Sequence, residues 1–172
     1  MLRPAHPTDA PAIAALHTLS WQLNYRAAMP DRYLDEEAPA ERLAFWTDRL
    51  AKSPATTETT LAINADGDLI GFCCLEPDAH PADGYYLNNL HVAATTQGTG
   101  VGKRLMQAAA ARLLTSRPDG DIFLWVLTSN ARAIRFYDYL GATRGRSETL
   151  TLVGNSVPAI MMRWRLSEMA AW

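Results

Sequence analysis

The sequence predicts a single α/β domain built on one mixed sheet, and three observations carry that reading. First, residues 85–105 run from a strand pattern through a glycine-rich loop into a helix. Second, residues 122–127 are apolar on both faces, as a buried strand parallel to its neighbour should be, with the intervening helix making a right-handed crossover. Third, residues 60–64 with 69–75, and 144–153 with 157–166, read as hairpins, which adds antiparallel strands on either side. With 172 residues, 48% of them hydrophobic, the chain is large enough for one real core, and a net charge of −2 gives no electrostatic ground for a nucleic-acid partner.

In chain order, residues 1–5 read as a short edge strand. Thr8 and Asp9 are helix N-cap residues ahead of Pro11, and Ile13, Leu16, Leu19 and Leu23 keep helical spacing to about Tyr25. Pro30 and the acidic run Asp35, Glu36, Glu37 make a connecting loop, either a solvated surface or a patch for a cationic amine. A second helix starts near Pro39 with Leu43, Trp46 and Leu50 on one face. Asp66-Gly67 marks the tight turn of the first hairpin, and residues 77–84, with their prolines and aspartates, a loop. The helix of residues 100–116 repeats Leu105, Ala109 and Leu113 and ends at Pro118-Asp119-Gly120. Residues 130–140 form a short helix closed by Gly141, and the last hairpin turns around Gly154-Asn155.

Cys73 and Cys74 are adjacent, so in a strand they face opposite sides and cannot readily bridge each other; both read as core thiols, and no metal site is expected. The opening residues lack an apolar signal region, and no run approaches the roughly 18 apolar residues of a membrane span. A cytoplasmic protein with small-molecule partners, no nucleic acid and no membrane is expected. The domain is expected to occupy residues 1–167, with 168–172 a tail.

The glycine loop carries the chemistry. Unpaired N–H groups at a helix N-terminus, with the helix dipole behind them, attract phosphate. A Walker loop would need Gly where Gln97 stands and Ser or Thr where Arg104 stands; a dinucleotide fingerprint from Gly98 would need Gly where Lys103 stands. Both patterns fail. What fits is Q-x-x-G-x-G, placed on Gln97, Gly100 and Gly102. It resembles the pyrophosphate loop of the GCN5-related N-acetyltransferase (GNAT) superfamily. Residues 130–142, with Asn130, Ala133-Ile134, Phe136-Tyr137 and Gly141, are similar to its second motif, and Leu2-Arg3-Pro4-Ala5, Ser20-Trp21 and Met29-Pro30-Asp31 to its N-terminal region.

That resemblance implies a GNAT-like fold whose sheet splays between its two central parallel strands, flanked by about four helices. It implies acetyl-coenzyme A as cofactor, held by Gln97, Gly98, Thr99, Gly100, Val101, Gly102 and Lys103 at the pyrophosphate, by main chain at Leu90, His91 and Val92 along the pantetheine arm, and by Asn130, Arg132, Ala133 and Phe136 from the short helix. The Leu90 amide is the implied oxyanion donor and Tyr137 the general acid for the leaving thiolate; the alternative for Tyr137 is a packed aromatic, and for Asn130 a helix N-cap.

Acceptor contacts are placed on Trp21, Tyr25, Tyr33, Tyr86, Asn88 and Trp164, with core or dimer packing the alternative for the large aromatics. Two departures stand out. The family often has a basic residue where Gly98 and Thr99 stand, and a Glu base where Tyr86 stands. His91 has the right pKa range to replace that base, but strand alternation turns it away from Leu90 and Val92; Glu76, His80 and Asp83 stay open. The expected activity is direct acetyl transfer to a primary amine, with a non-catalytic acyl-CoA-binding module as the alternative. A homodimer is a common state of the family.

Overall fold

Strand β4 (Tyr85–Val92) organises the protein, because it is where the sheet changes both direction and register. The computed structural model describes residues 1–52, 58–76, 84–114 and 119–169. On one side of β4 lie β3 (Leu69–Glu76), β2 (Glu58–Ile63) and β1 (Leu2–Pro4), all antiparallel. On the other lies β5 (Asp121–Leu127), then β7 (Asn155–Arg165) and the edge strand β6 (Thr143–Leu152), giving the order β1-β2-β3-β4-β5-β7-β6. Among the described strands only β4 and β5 pair in parallel, and the crossover between them carries helix α3 (Val101–Leu114).

Helices cover both faces. On one, α1 (Ala10–Asn24) and α2 (Ala38–Ala51) bury Ile13, Ala14 and Trp46 against Leu61, Phe72 and Cys74. On the other, α3, α4 (Ala131–Tyr139) and the short α5 (Leu166–Met169) pack Leu105, Met106, Tyr137 and Leu166 against Cys73, Leu75, Leu87 and Ile122. The two cysteines therefore serve opposite cores, as alternation requires, and burial pushes the Cys73 thiol up to about 12. Gly141 closes α4 at φ +76, and its amide reaches the Asp138 carbonyl.

Two features of β4 make the site. It pairs with β5 only at Tyr85–Ile122 and Tyr86–Phe123, and from there the two strands part. It also carries an extra residue: Leu75 faces Leu87 while Cys74 faces Asn89, so Asn88 is bulged. The bulge resets the alternation, and Leu87 and Leu90, three residues apart, both pack toward the α3 side.

Several expectations need correction. The acidic run is not a loop but a wide π-helical turn, Tyr33–Glu37, leading into α2, because Tyr33 and Leu34 bury there; Arg26 binds Asp31 and Asp35, and Arg32 binds Glu36, so the run's charge is largely matched. Asp9 does not cap α1 with its carboxylate. It takes a bidentate bond from Arg3 at 2.7 and 2.8 Å and one from the His6 amide, tying β1 to the start of the helix. The last turn is Val153-Gly154, with Asn155 already in β7 and donating to the Ala28 carbonyl. Helix α5 was not anticipated; its Met169 is buried in the core. Residues 77–83 and 115–118, with His80, Asp83 and the end signal at Pro118, lie outside the described residues.

Candidate active site

Where β4 and β5 part, a cleft of about 470 Å³ opens between them. Its floor begins with the glycine loop. A 3₁₀ turn (Ala94–Thr96) precedes it, the Gln97 side chain donates to the Val92 carbonyl at 3.0 Å, and Thr99 folds back on the Thr96 carbonyl through Oγ1 at 2.7 Å. Gly98 and Gly100 sit at φ +83 and +86, which other residues adopt only at a cost. Gly102 serves differently: a Cβ there would stand 3.0 Å from the Phe136 ring, so its absence lets the starts of α3 and α4 approach. The first main-chain bond of α3 runs from the Arg104 amide to the Gly100 carbonyl, which leaves the amides of Val101, Gly102 and Lys103 without an intrahelical acceptor at the cleft.

From the other side α4 contributes Asn130, Arg132, Ala133, Phe136 and Tyr137. Asn130 caps its helix, its Oδ1 accepting from the Ala133 amide at 3.1 Å, while still lining the cleft. Tyr137 is 8% exposed, edge-on to Trp164 at 5.7 Å; burial, and secondly the nearby Tyr25 phenol, raise its pKa well above the ordinary phenol value. It is therefore protonated at neutral pH. Leu90, His91 and Val92 line the cleft from β4, beyond the last β4–β5 pair. Lys103 and Arg132 bring positive charge to the same space.

The opposite wall is built by Ser20 and Asn24 of α1, the following Tyr25 and Trp125 of β5; Val126 of β5 lines the cleft from the α3 side, and the exposed Tyr139 stands at the rim. Among the described lining residues none is Asp or Glu. His91 is 9% exposed, its Nδ1 is 2.7 Å from Ser20 Oγ, and its ring lies 4.5 Å from His17 and 5.2 Å from Phe72. Burial lowers its pKa to about 4, so it is neutral. Behind it His17 accepts from Trp46 Nε1 at 3.0 Å through Nδ1 and is driven still lower, by burial first and then by His91, Arg42 and Arg49.

Other expected residues are placed elsewhere. Thr99 lies outside the lining, bonded to Thr96, and Val101 points into the α3 core. Trp164 is not an acceptor wall: it is 3% exposed, opposite Ile122 at the closed end of the β4–β5 pair, with Nε1 bonded to the Leu140 carbonyl. Tyr33 is spent on Glu41 at 2.5 Å, and Trp21 lies edge-on to His17 beneath the Arg42 guanidinium. Tyr86 stacks on Phe123 at 5.2 Å, where the strands still pair, and burial followed by Glu76 pushes its phenol up to about 12. Asn88 donates to Glu76 at 2.5 Å, and Glu76 is also bound by Arg49, so this carboxylate is committed to a structural pair outside the lining. Sequence reasoning did not single out Asn24, Thr96, Trp125 or Val126 and used Ser20 only as part of a motif; Ser20 and Asn24 lie one helical turn apart, a spacing that could have found them.

Among the described residues no group of His, Cys, Asp and Glu is placed to hold a metal ion, and no helix is long and apolar enough to cross a membrane. The sequence model of the Acetyltransferase (GNAT) family matches residues 15–142. A probable N-acetyltransferase of Mycobacterium tuberculosis is 29% identical over 149 residues, covering 80% of this chain and 76% of the relative; an uncharacterised N-acetyltransferase of Bacillus subtilis is 25% identical over 165 residues, covering 95% and 91%. Among solved structures, the PaiA N-acetyltransferase of Thermoplasma acidophilum in complex with coenzyme A superposes with a TM-score of 0.71 at 17% identity, covering 95% of this chain and 98% of that one.

Proposed function

The chain belongs to the GNAT family of acetyltransferases, and from that premise we propose that it moves an acetyl group from acetyl-coenzyme A directly to a primary amine of a small molecule or peptide. The observation that carries this reading is the parting of β4 from β5 beside the start of α3, with the protonated Tyr137 phenol in the same cleft. The residues present fit the donor. Gly98 and Gly100 supply the positive-φ loop, the amides of residues 101–103 and the cations Lys103 and Arg132 would meet the pyrophosphate, and Leu90 and Val92, flanking a His91 whose carbonyl lies against β3, offer main chain to the pantetheine arm. Asn130, Ala133 and Phe136 flank that arm from α4.

Acetyl-coenzyme A supplies an activated thioester. The Leu90 amide stabilises the oxygen charge that develops during attack, a contribution of about 2.7–4 kcal/mol for one such donor elsewhere. Tyr137 gives its proton to the departing sulfur. The amine enters on the Ser20, Tyr25 and Trp125 side. The missing carboxylate at Tyr86 favours a second reading, an acyl-CoA-binding module without turnover. Calorimetry with acetyl-coenzyme A, followed by free-thiol release with a panel of amines, separates the two. Tyr137→Phe should lower amine-dependent release about 10- to 1,000-fold with cofactor affinity nearly unchanged; binding with no release from any amine supports the module, and no binding overturns the reading of the loop.

A further inference from the structure

The cleft leaves one proton unaccounted for: the one the acceptor nitrogen must lose. Among the described lining residues the candidates reduce quickly. There is no carboxylate; Lys103 and Arg132 are cations; Tyr25 and Tyr137 are phenols that burial keeps protonated. Glu76 is held by Arg49 and Asn88 outside the lining. What remains is an imidazole joined to a hydroxyl. His91 Nδ1 and Ser20 Oγ lie 2.7 Å apart, and both face the cleft on its acceptor side, across from Tyr137. We propose that Ser20 and His91 act as the proton-accepting pair of the transfer, and that the acceptor is an amine that arrives uncharged, such as an arylamine or a hydrazide.

The proposal rests on the acetyl-transfer reading above. In it the acceptor nitrogen forms its bond to the acetyl carbon, its proton passes to Ser20 Oγ, and the Ser20 hydroxyl proton passes to His91 Nδ1. The carbon–sulfur bond breaks as the sulfur takes the Tyr137 proton. Solvent then removes the proton from His91 and restores the one on Tyr137, so the products are the amide and the free thiol.

The surroundings of His91 decide the acceptor class. From α1 it meets His17 and Ser20, from β3 the apolar Phe72, and the charges that reach the neighbouring His17 from α2 are the cations Arg42 and Arg49. Trp46 donates to His17 Nδ1, which fixes neutral His17 as the Nε2–H tautomer and rules it out as a counter-charge. No anion among these groups stabilises an imidazolium. A base in such a place cannot strip a free alkylammonium of pKa about 10.4, but it can take the proton from a nitrogen already bonded to the acetyl carbon, which is far more acidic. Tyr25 and Trp125 make the same wall aromatic, with Tyr139 of α4 at the rim, and among the described lining residues no carboxylate recruits a cationic chain.

The test is steady-state thiol release from acetyl-coenzyme A with an alkylamine, a peptide α-amine, an arylamine and a hydrazide across a pH series, for the native protein, Ser20→Ala, Ser20→Thr and His91→Gln. Ser20→Ala and His91→Gln should lower kcat about 10- to 100-fold, Ser20→Thr should retain most of it, and calorimetric affinity for acetyl-coenzyme A should change less than about threefold. In the native protein the acid limb of kcat/KM should move with the pKa of each acceptor. A limb fixed near one pH for all acceptors overturns the proposal, as does an alkylamine preferred at neutral pH. Release that falls with Tyr137→Phe but survives both Ser20→Ala and His91→Gln overturns the pair and leaves the acetyl-transfer reading standing; no release with any amine overturns both. Ser20→Ala removes one oxygen from a partly exposed position, so its outcome does not depend on whether His91→Gln folds.

Discussion

Replacing Gly100 with Val isolates what the glycine loop contributes. Gly100 sits at φ +86, and nothing lies within 4 Å of the place a Cβ would occupy, so the substitution brings no clash and its whole cost is backbone strain. For an L-residue in that region the strain is about 1–2 kcal/mol, at the upper end for a β-branched side chain. The protein has two ways to meet it. It can keep the loop, in which case Tm falls by roughly 2–8 °C for a chain of this size. Or residue 100 can turn to negative φ, which relieves the strain but re-aims the first amides of α3, and affinity for acetyl-coenzyme A falls at least about tenfold, a loss of some 1.4 kcal/mol. Gly67, at φ +91 in the β2–β3 hairpin with the same open surroundings, is the matched control. Gly67→Val should lose stability and keep cofactor affinity. Thermal unfolding and calorimetry on both variants read the two channels together. A Gly100→Val protein with native Tm and native affinity would refute the assignment of strain to this loop.

Val153 is the one non-glycine at positive φ among the described residues, +49 in the β6–β7 turn, and it is exposed; Val153→Asn should therefore raise stability by about 1 kcal/mol in urea unfolding, and an unchanged midpoint would mean the turn relaxes in solution. Asp9 is held well below the usual carboxylate range by the Arg3 guanidinium first and by the His6 amide, so its contribution is present above its unfolded pKa of about 3.9 and disappears as pH falls through the lower folded value. Asp9→Asn should cost about 1–3 kcal/mol at neutral pH and flatten the acid side of the stability profile below about pH 4; an unaltered profile would assign the acid loss to other groups.

Much of the fold was legible because its signals are local. The crossover from β4 through α3 to β5, the stop at Gly141 and the division of Cys73 and Cys74 between two cores all follow from period, propensity and alternation within a few residues. The wide turn at residues 33–37 was not, because its charges read as a solvated loop while its two buried residues, Tyr33 and Leu34, are too few to make a period.

The site divides along the same line, and β4 shows why. Periodicity puts His91 opposite Leu90 and Val92, and locally that is so: Leu90 and Val92 pack toward the α3 side, and His91 meets Phe72 and α1. The same alternation says nothing of the gap. A residue on the α1 side of β4 is covered by its neighbour as long as β5 is paired beside it, as half-buried Tyr86 is by Phe123; on the other face Trp164 of β7 is core opposite Ile122. One bulge at Asn88 and the end of pairing after Tyr86 change that status within five residues, so that His91, on the same face, borders the cleft instead. Whether an aromatic or imidazole on this sheet is structural or exposed to a ligand is thus decided by pairing between strands far apart in sequence. That is why Trp164 read as a site residue and lies in the α3-side core, and Tyr86 stacks on Phe123 where the strands still pair, while Trp125 and the Ser20–His91 contact, 71 residues apart in the chain, became visible only in the assembled sheet.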